Sequence, residues 1–181
     1  MNRTIAITMI LTATVPALAA AKDRAARVAQ TASDARLENG APSSDALIQR
    51  FLQALDQKDE RALRSLRTTE SEYRSIILPG TVPPGAPRRH YRKDVADYFW
   101  GVMNAKSAYY EQYLINTAGG RGPSTLKLVT YKKGRQQYAD YTAYKQLRLV
   151  VEDGAGHEQD IRTGSIVEVG GRYKFISFIR D

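Results

Sequence analysis

The sequence predicts an α+β fold in which N-terminal helices pack on a curved antiparallel sheet. Apolar residues recur at helical spacing from Leu47 onward, and from Ser124 the repeat shortens to the alternation of strands. The helical segments all precede the strands, so the sheet is expected to fold as a meander rather than through parallel crossovers.

The elements follow in order. Ser43-Ser44-Asp45 offers side-chain oxygens to the free N–H groups of a first helical turn. Leu47, Ile48, Phe51, Leu52 and Leu55 then form an apolar face, with Gln49, Arg50 and Gln53 opposite. Asp56-Gln57-Lys58-Asp59 interrupts, and a second short helix carries Ala62, Leu63 and Leu66. Thr69-Glu70-Ser71-Glu72 has the spacing of a capping box, opening a third helix with Tyr73, Ile76 and Ile77 on its apolar side. Leu78-Pro79-Gly80 ends it, and 79–87 holds four of the seven prolines. Asp94 is expected to cap a long helix from 95 to about 116. Its core stripe is read as Val95, Phe99, Val102, Met103, Lys106, Tyr109 or Tyr110, Tyr113 and Leu114, and Gly119-Gly120 closes it.

Leu126, Leu128 and Thr130 alternate with Lys127, Val129 and Tyr131, and Lys132-Lys133-Gly134 reads as a hairpin turn. The next strand is long. Ala139, Tyr141, Ala143, Leu147, Leu149 and Val151 lie on one face, with Tyr138, Asp140, Thr142, Tyr144 and Arg148 on the other. Asp153-Gly154-Ala155-Gly156 turns the chain, 159–169 returns, and Gly170-Gly171 leads into a last strand over 172–180. Four antiparallel strands with one face covered by helices make a cone or half-barrel.

The chain has 181 residues, enough for one domain with a real core. The absence of Cys excludes disulfide frameworks, thiol nucleophiles and Cys-ligated zinc. Arg3, the apolar run from Ile5 to Val15, and small residues at Ala17 and Ala19 have the three parts of a secretory signal peptide over 1–20, cleaved near Ala19-Ala20. This places the chain in a periplasm or outside the cell, away from intracellular nucleic acid. Residues 21–42 carry few apolar side chains and read as a flexible arm, leaving 43–181 as the domain.

The segment Leu-Ile-Gln-Arg-Phe-Leu-Gln-Ala-Leu-Asp-Gln-Lys-Asp-Glu-Arg-Ala-Leu-Arg-Ser-Leu, 47–66, resembles the first two helices of the nuclear-transport-factor-2-like superfamily. The ending, with Asp-Gly-Ala-Gly and then Gly-Gly-Arg-Tyr-Lys-Phe, is similar to its last strands. The resemblance implies an α+β cone, whose members include isomerases, dehydratases, transport adaptors and plain binding modules. In its enzyme branch it implies a general base inside the cone, an Asp or an Asp-His pair.

No residue meets that requirement from the sequence. Asp140 sits in a predicted strand, and alternation points it toward solvent or an Arg partner. Asp97 suits a helix start, and His90 and His157 have no spacing partner for a metal. No cofactor motif is present: Gly119-Gly120-Arg121-Gly122 lacks the Lys-Ser/Thr of a phosphate loop. Tyrosine is over-used, at 11 residues. Trp100, Tyr109, Tyr113 and Tyr141 are therefore candidates to line an apolar pocket, against the plainer reading of seam packing. Arg88, Arg89, Arg92 and Lys93 precede a helix N-terminus, where positive charge opposes the dipole. With a formal charge of +8 they are candidates to attract an anionic envelope surface, against the plainer reading of a solvated loop. The sequence thus points to an exported, non-catalytic binding or interaction module. Its expected partner is a small apolar ligand or another protein, with a homodimer through the sheet as one form. An isomerase- or dehydratase-type cone enzyme is the rival.

Overall fold

The computed structural model describes residues 36–179. The predicted signal peptide and 21–35 of the predicted arm lie outside them. Helix α1 (Ser44–Asp56) starts where the capping chemistry placed it, the Ser43 hydroxyl accepting from the Ala46 N–H at 3.1 Å. All five residues of its predicted apolar face are buried. Asp59 caps α2 (Glu60–Ser65) in the same way, and the Thr69–Glu72 capping box opens α3 (Glu70–Glu72). The chain then winds through a π-helical turn (Tyr73–Ile77) into α4 (Leu78–Gly80). The long helix α5 runs over Lys93–Ala118. Asp94 does not cap it: Arg92 is the capping residue, without a side-chain cap bond, and Asp94 pairs with the Arg92 guanidinium at 2.7 Å.

The strands are β1 (Thr125–Tyr131), β2 (Arg135–Gln137), β3 (Thr142–Tyr144), β4 (Leu147–Glu152), β5 (Glu158–Arg162), β6 (Ile166–Val169) and β7 (Arg172–Phe175). They form two antiparallel sheets, β1-β4-β5 and β2-β3-β6-β7. These are two halves of one bent meander. The β1–β2, β3–β4 and β5–β6 limbs each bend where they pass from one half to the other. Gly134 and Gln146 take positive φ at the bend, 66° and 58°. The Lys132 N–H to Gln146 C=O bond and the Lys145 N–H to Gly134 C=O bond hold the limbs together there, at 3.1 and 2.9 Å.

Lys132-Lys133-Gly134 is therefore a bend, not the expected hairpin turn. The turn lies at 138–141, where the Tyr138 N–H donates to the Tyr141 C=O at 2.8 Å. The register explains the choice. It sets Leu126 against Val151, Val129 against Leu149 and Tyr131 against Leu147. A turn at 132–134 would instead have paired β1 with Arg135-Gln136-Gln137, which is exposed throughout. Gly170 and Gly171 both have positive φ, 55° and 71°, as a tight two-residue hairpin loop requires. The last strand ends at Phe175, earlier than expected, because Ile176 to Ile179 leave the ladder while Phe178 stays wholly buried.

The main core lies between α1 and the sheet. Phe51, Phe175 and Phe178 meet there with ring centroids 5.1 to 5.7 Å apart. A second cluster gathers Ile76, Ile77, Tyr141, Ala143, Val167 and Val169 around Leu37. The folded unit therefore begins before Ser43: Leu37 is buried, and Ala41 exchanges backbone hydrogen bonds with Tyr173 at 2.9 and 3.0 Å.

Helix α5 departs most from expectation. Of its predicted apolar stripe Leu114 is buried and Tyr110 packs on the core, but the greater part faces outward. Phe99, Val102, Tyr109 and Tyr113 are exposed, while the buried residues are Ser107, Glu111, Leu114, Ile115 and Ala118.

Candidate functional site

The inward face of α5 carries polar groups in its middle because Arg64 on α2 and Arg67 just beyond it supply their partners. Arg64 donates to the Glu111 carboxylate at 3.1 Å. Arg67 lies 3.9 Å from its other oxygen and donates to the Asn104 amide oxygen at 2.7 Å. Glu111 is 1% exposed and Arg67 6%. Burial lowers the Arg67 pKa, and the Glu111 charge works against that shift. An unpaired carboxylate at this depth would be costly, so the arginines hold the helix with Glu111 inward. The aromatic stripe is thereby turned outward.

At 3.6 residues per turn, Tyr98, Phe99, Val102, Tyr109 and Tyr113 share one side of α5, opposite Ser107 and Glu111. Among the described residues these are five of the six large hydrophobic side chains classed as exposed; the sixth, Leu128, is on β1. Tyr98 and Tyr109 are exposed to 67% and 69%.

The four residues predicted to line a pocket stand in different surroundings. Trp100 packs on Tyr73, with centroids 5.6 Å apart. Tyr109 projects from the helix, and Tyr113 edges a cleft of about 420 Å³ between α5 and β5. Tyr141 is 6% exposed in the second core cluster, its hydroxyl 2.8 Å from that of Thr81. Burial raises its pKa to about 12.

In the basic loop, Arg88 and Arg89 line a shallow pocket of about 270 Å³ with Arg74 and His90. Most of the charge there is paired. The Arg88 Nε is 2.8 Å from Asp140, Arg92 binds Asp94, and Lys93 binds Asp97 at 2.8 Å. No such pair involves Arg89 among the described ion pairs. Of the two surroundings expected for Asp140, solvent or an Arg partner, it has the second: its side chain is 5% exposed beside Arg88. The 138–141 turn tips it toward the proline-rich loop, where Gly80 leaves it room.

The other buried carboxylates are also occupied. Glu72 faces Lys174 at 2.9 Å and accepts from the Glu38 and Thr69 N–H groups. Asp153 accepts from the N–H groups of Ala155 and His157, which lowers its pKa. A general base needs a lone pair facing a substrate cavity. Among the described residues these carboxylates face cations or backbone N–H groups, and no cluster of three metal-ligating side chains occurs.

Sequence reasoning missed the Arg67–Glu111–Asn104 network. The one available signal was Asn104, Ser107 and Glu111 at helical spacing, which marks a polar stripe but not its partner. It also left Lys132, Arg148, Arg162 and Thr163 out of any site. They come together at the sheet bend, in a cleft of about 570 Å³.

Comparison with known proteins gives no matching family model, no matching curated relative and no matching solved structure.

Proposed function

We propose that this chain is an exported, non-catalytic interaction module that pairs with a second copy of itself through the aromatic face of α5. One observation carries the reading: five of the six exposed large hydrophobic residues described lie on one side of one helix. An apolar face left open on a folded domain marks an interaction surface. Helices arranged before a bent antiparallel meander also support the likeness to the nuclear-transport-factor-2-like superfamily, which includes plain binding modules beside enzymes.

Two arguments favour a second copy as the occupant. The stripe Val95, Phe99, Val102, Lys106, Tyr109 and Tyr113 is symmetric in spacing about residue 104. Antiparallel pairing therefore sets Phe99 against Tyr109, Val95 against Tyr113 and Val102 against Lys106 of the partner copy. This is the self-complementarity a two-fold interface needs. The exposed parts of the four aromatic rings and Val102, with the Lys106 stem, come to an area on the order of 1,000 Å² over two copies, the threshold for a specific interface.

The absence of native Cys makes a direct test clean. A mixture of Val102→Cys and Lys106→Cys chains should form a disulfide-linked dimer under mild oxidation much faster than a control with Gln137→Cys, which is exposed on β2. Equal rates would contradict the pairing.

A further inference from the structure

We propose that the bend of the sheet is a binding site for a tetrahedral dianion, a phosphate- or sulfate-type group. The register of the strands sets Arg148 on β4 directly opposite Arg162 on β5, and Thr130 on β1 directly opposite Arg148. Lys132 follows two residues after Thr130 and lines the same cleft of about 570 Å³. Like charges facing each other on neighbouring strands destabilise a sheet, so sheet pairing does not account for this arrangement.

One carboxylate stands between the two arginines. Asp160 accepts from the Arg148 Nε at 3.1 Å and from the Arg162 Nε and Nη2 at 3.1 and 2.8 Å. The Arg162 hydrogen bonds, with those of Arg148, hold the Asp160 carboxyl below the usual carboxylate range, although partial burial opposes them. It stays ionised and orients both guanidinium groups. Each guanidinium carries five N–H donors, so most remain for a ligand. Three cations against one carboxylate leave an excess of two positive charges, and no acidic side chain lines the cleft.

A group with oxygens in several directions would satisfy two guanidinium forks and an ammonium together, which suits a tetrahedral anion. Arg148 and Arg162 are about half exposed, so the site is open to ligands from solution.

The test is equilibrium dialysis of the full chain against labelled inorganic phosphate, with sulfate, succinate and chloride as competitors at constant ionic strength. Saturable phosphate binding is expected, displaced by sulfate and at least tenfold less well by succinate or chloride. Arg148→Gln and Arg162→Gln should each weaken it at least tenfold. Arg148 and Arg162 are about half exposed and both pair with Asp160, so each single variant should keep a cooperative melting transition near the parent's in anion-free buffer, and this separates lost binding from lost folding. Non-saturable binding, equal displacement by succinate, or binding unchanged in the two folded variants would overturn the proposal.

Discussion

The Lys174 ammonium lies 2.9 Å from both carboxylate oxygens of Glu72, with both side chains under 5% exposed. The pair ties the turn that opens α3 to the last strand, two elements far apart in sequence. The backbone N–H groups of Glu38 and Thr69 complete the carboxylate shell at 2.6 and 2.7 Å. Buried charges are tolerated because every lone pair is used.

Lys174→Met should therefore cost about 3–5 kcal/mol, because it strands a buried carboxylate. Adding Glu72→Gln should recover a large part of that loss. Urea unfolding of the single and double variants checks this. A single-variant loss under about 1 kcal/mol would contradict the role given to the pair.

Tyr141 links the second core cluster to Thr81 in the proline-rich loop, and its raised pKa has a consequence for alkaline stability. A pKa raised in the folded state contributes stability that is complete below the ordinary tyrosine value and lost as pH rises toward about 12. Stability should thus fall through the window from about 10 to 12. Tyr141→Phe should cost about 1 kcal/mol at neutral pH, from the lost hydrogen bond, and make that alkaline decline shallower. Unfolding curves across the window, with and without the substitution, read both effects. An equally steep decline in the variant would contradict them.

Gly80 and Asp140 form a second linkage. A Cβ at Gly80 would sit 2.5 Å from the Asp140 Oδ2, the oxygen that faces Arg88. Gly80→Ala should cost about 1–3 kcal/mol by displacing that carboxylate. The cost should shrink in an Asp140→Ala background, since the two act on one contact. Strictly additive losses would mean that the glycine serves the helix end alone.

The orientation of α5 rests on Glu111. Glu111→Gln removes the counter-charge of Arg67 and should lower stability by about 3 kcal/mol or more. Amide exchange along α5 should rise more than in β4, because only five of the 26 residues of the helix are buried. Uniform exchange rates over both elements would argue against a local lock.

These relationships divide into what neighbouring residues specify and what distant ones do. Ser43, Asp59 and the Thr69–Glu72 box are read from their own surroundings, since a cap needs only the next three residues. The α1 face is equally legible, being apolar on one side and polar on the other. Helix α5 is not. Its period locates an apolar stripe, but the stripe's direction depends on Arg64 and Arg67, more than forty residues from Glu111. The position of the first β-turn is hidden for a similar reason. Lys132-Lys133-Gly134 carries the stronger local turn signal, yet the apolar register of β1 against β4 outweighs it. That register also brings Arg148 opposite Arg162, so the basic cleft is invisible until the strands are paired. The candidate tyrosines share a residue type but no common cavity, and composition alone cannot tell these apart.

Self-association through α5 is tested most directly by sedimentation equilibrium of the chain over a wide concentration range. A reversible monomer–dimer equilibrium is predicted, abolished by Phe99→Glu with Tyr109→Glu while the circular dichroism spectrum and melting transition are kept. Both positions are exposed in the single chain, so the charges should not disturb its fold. A chain that stays monomeric at every concentration, or a dimer that persists in the double variant, would contradict the account.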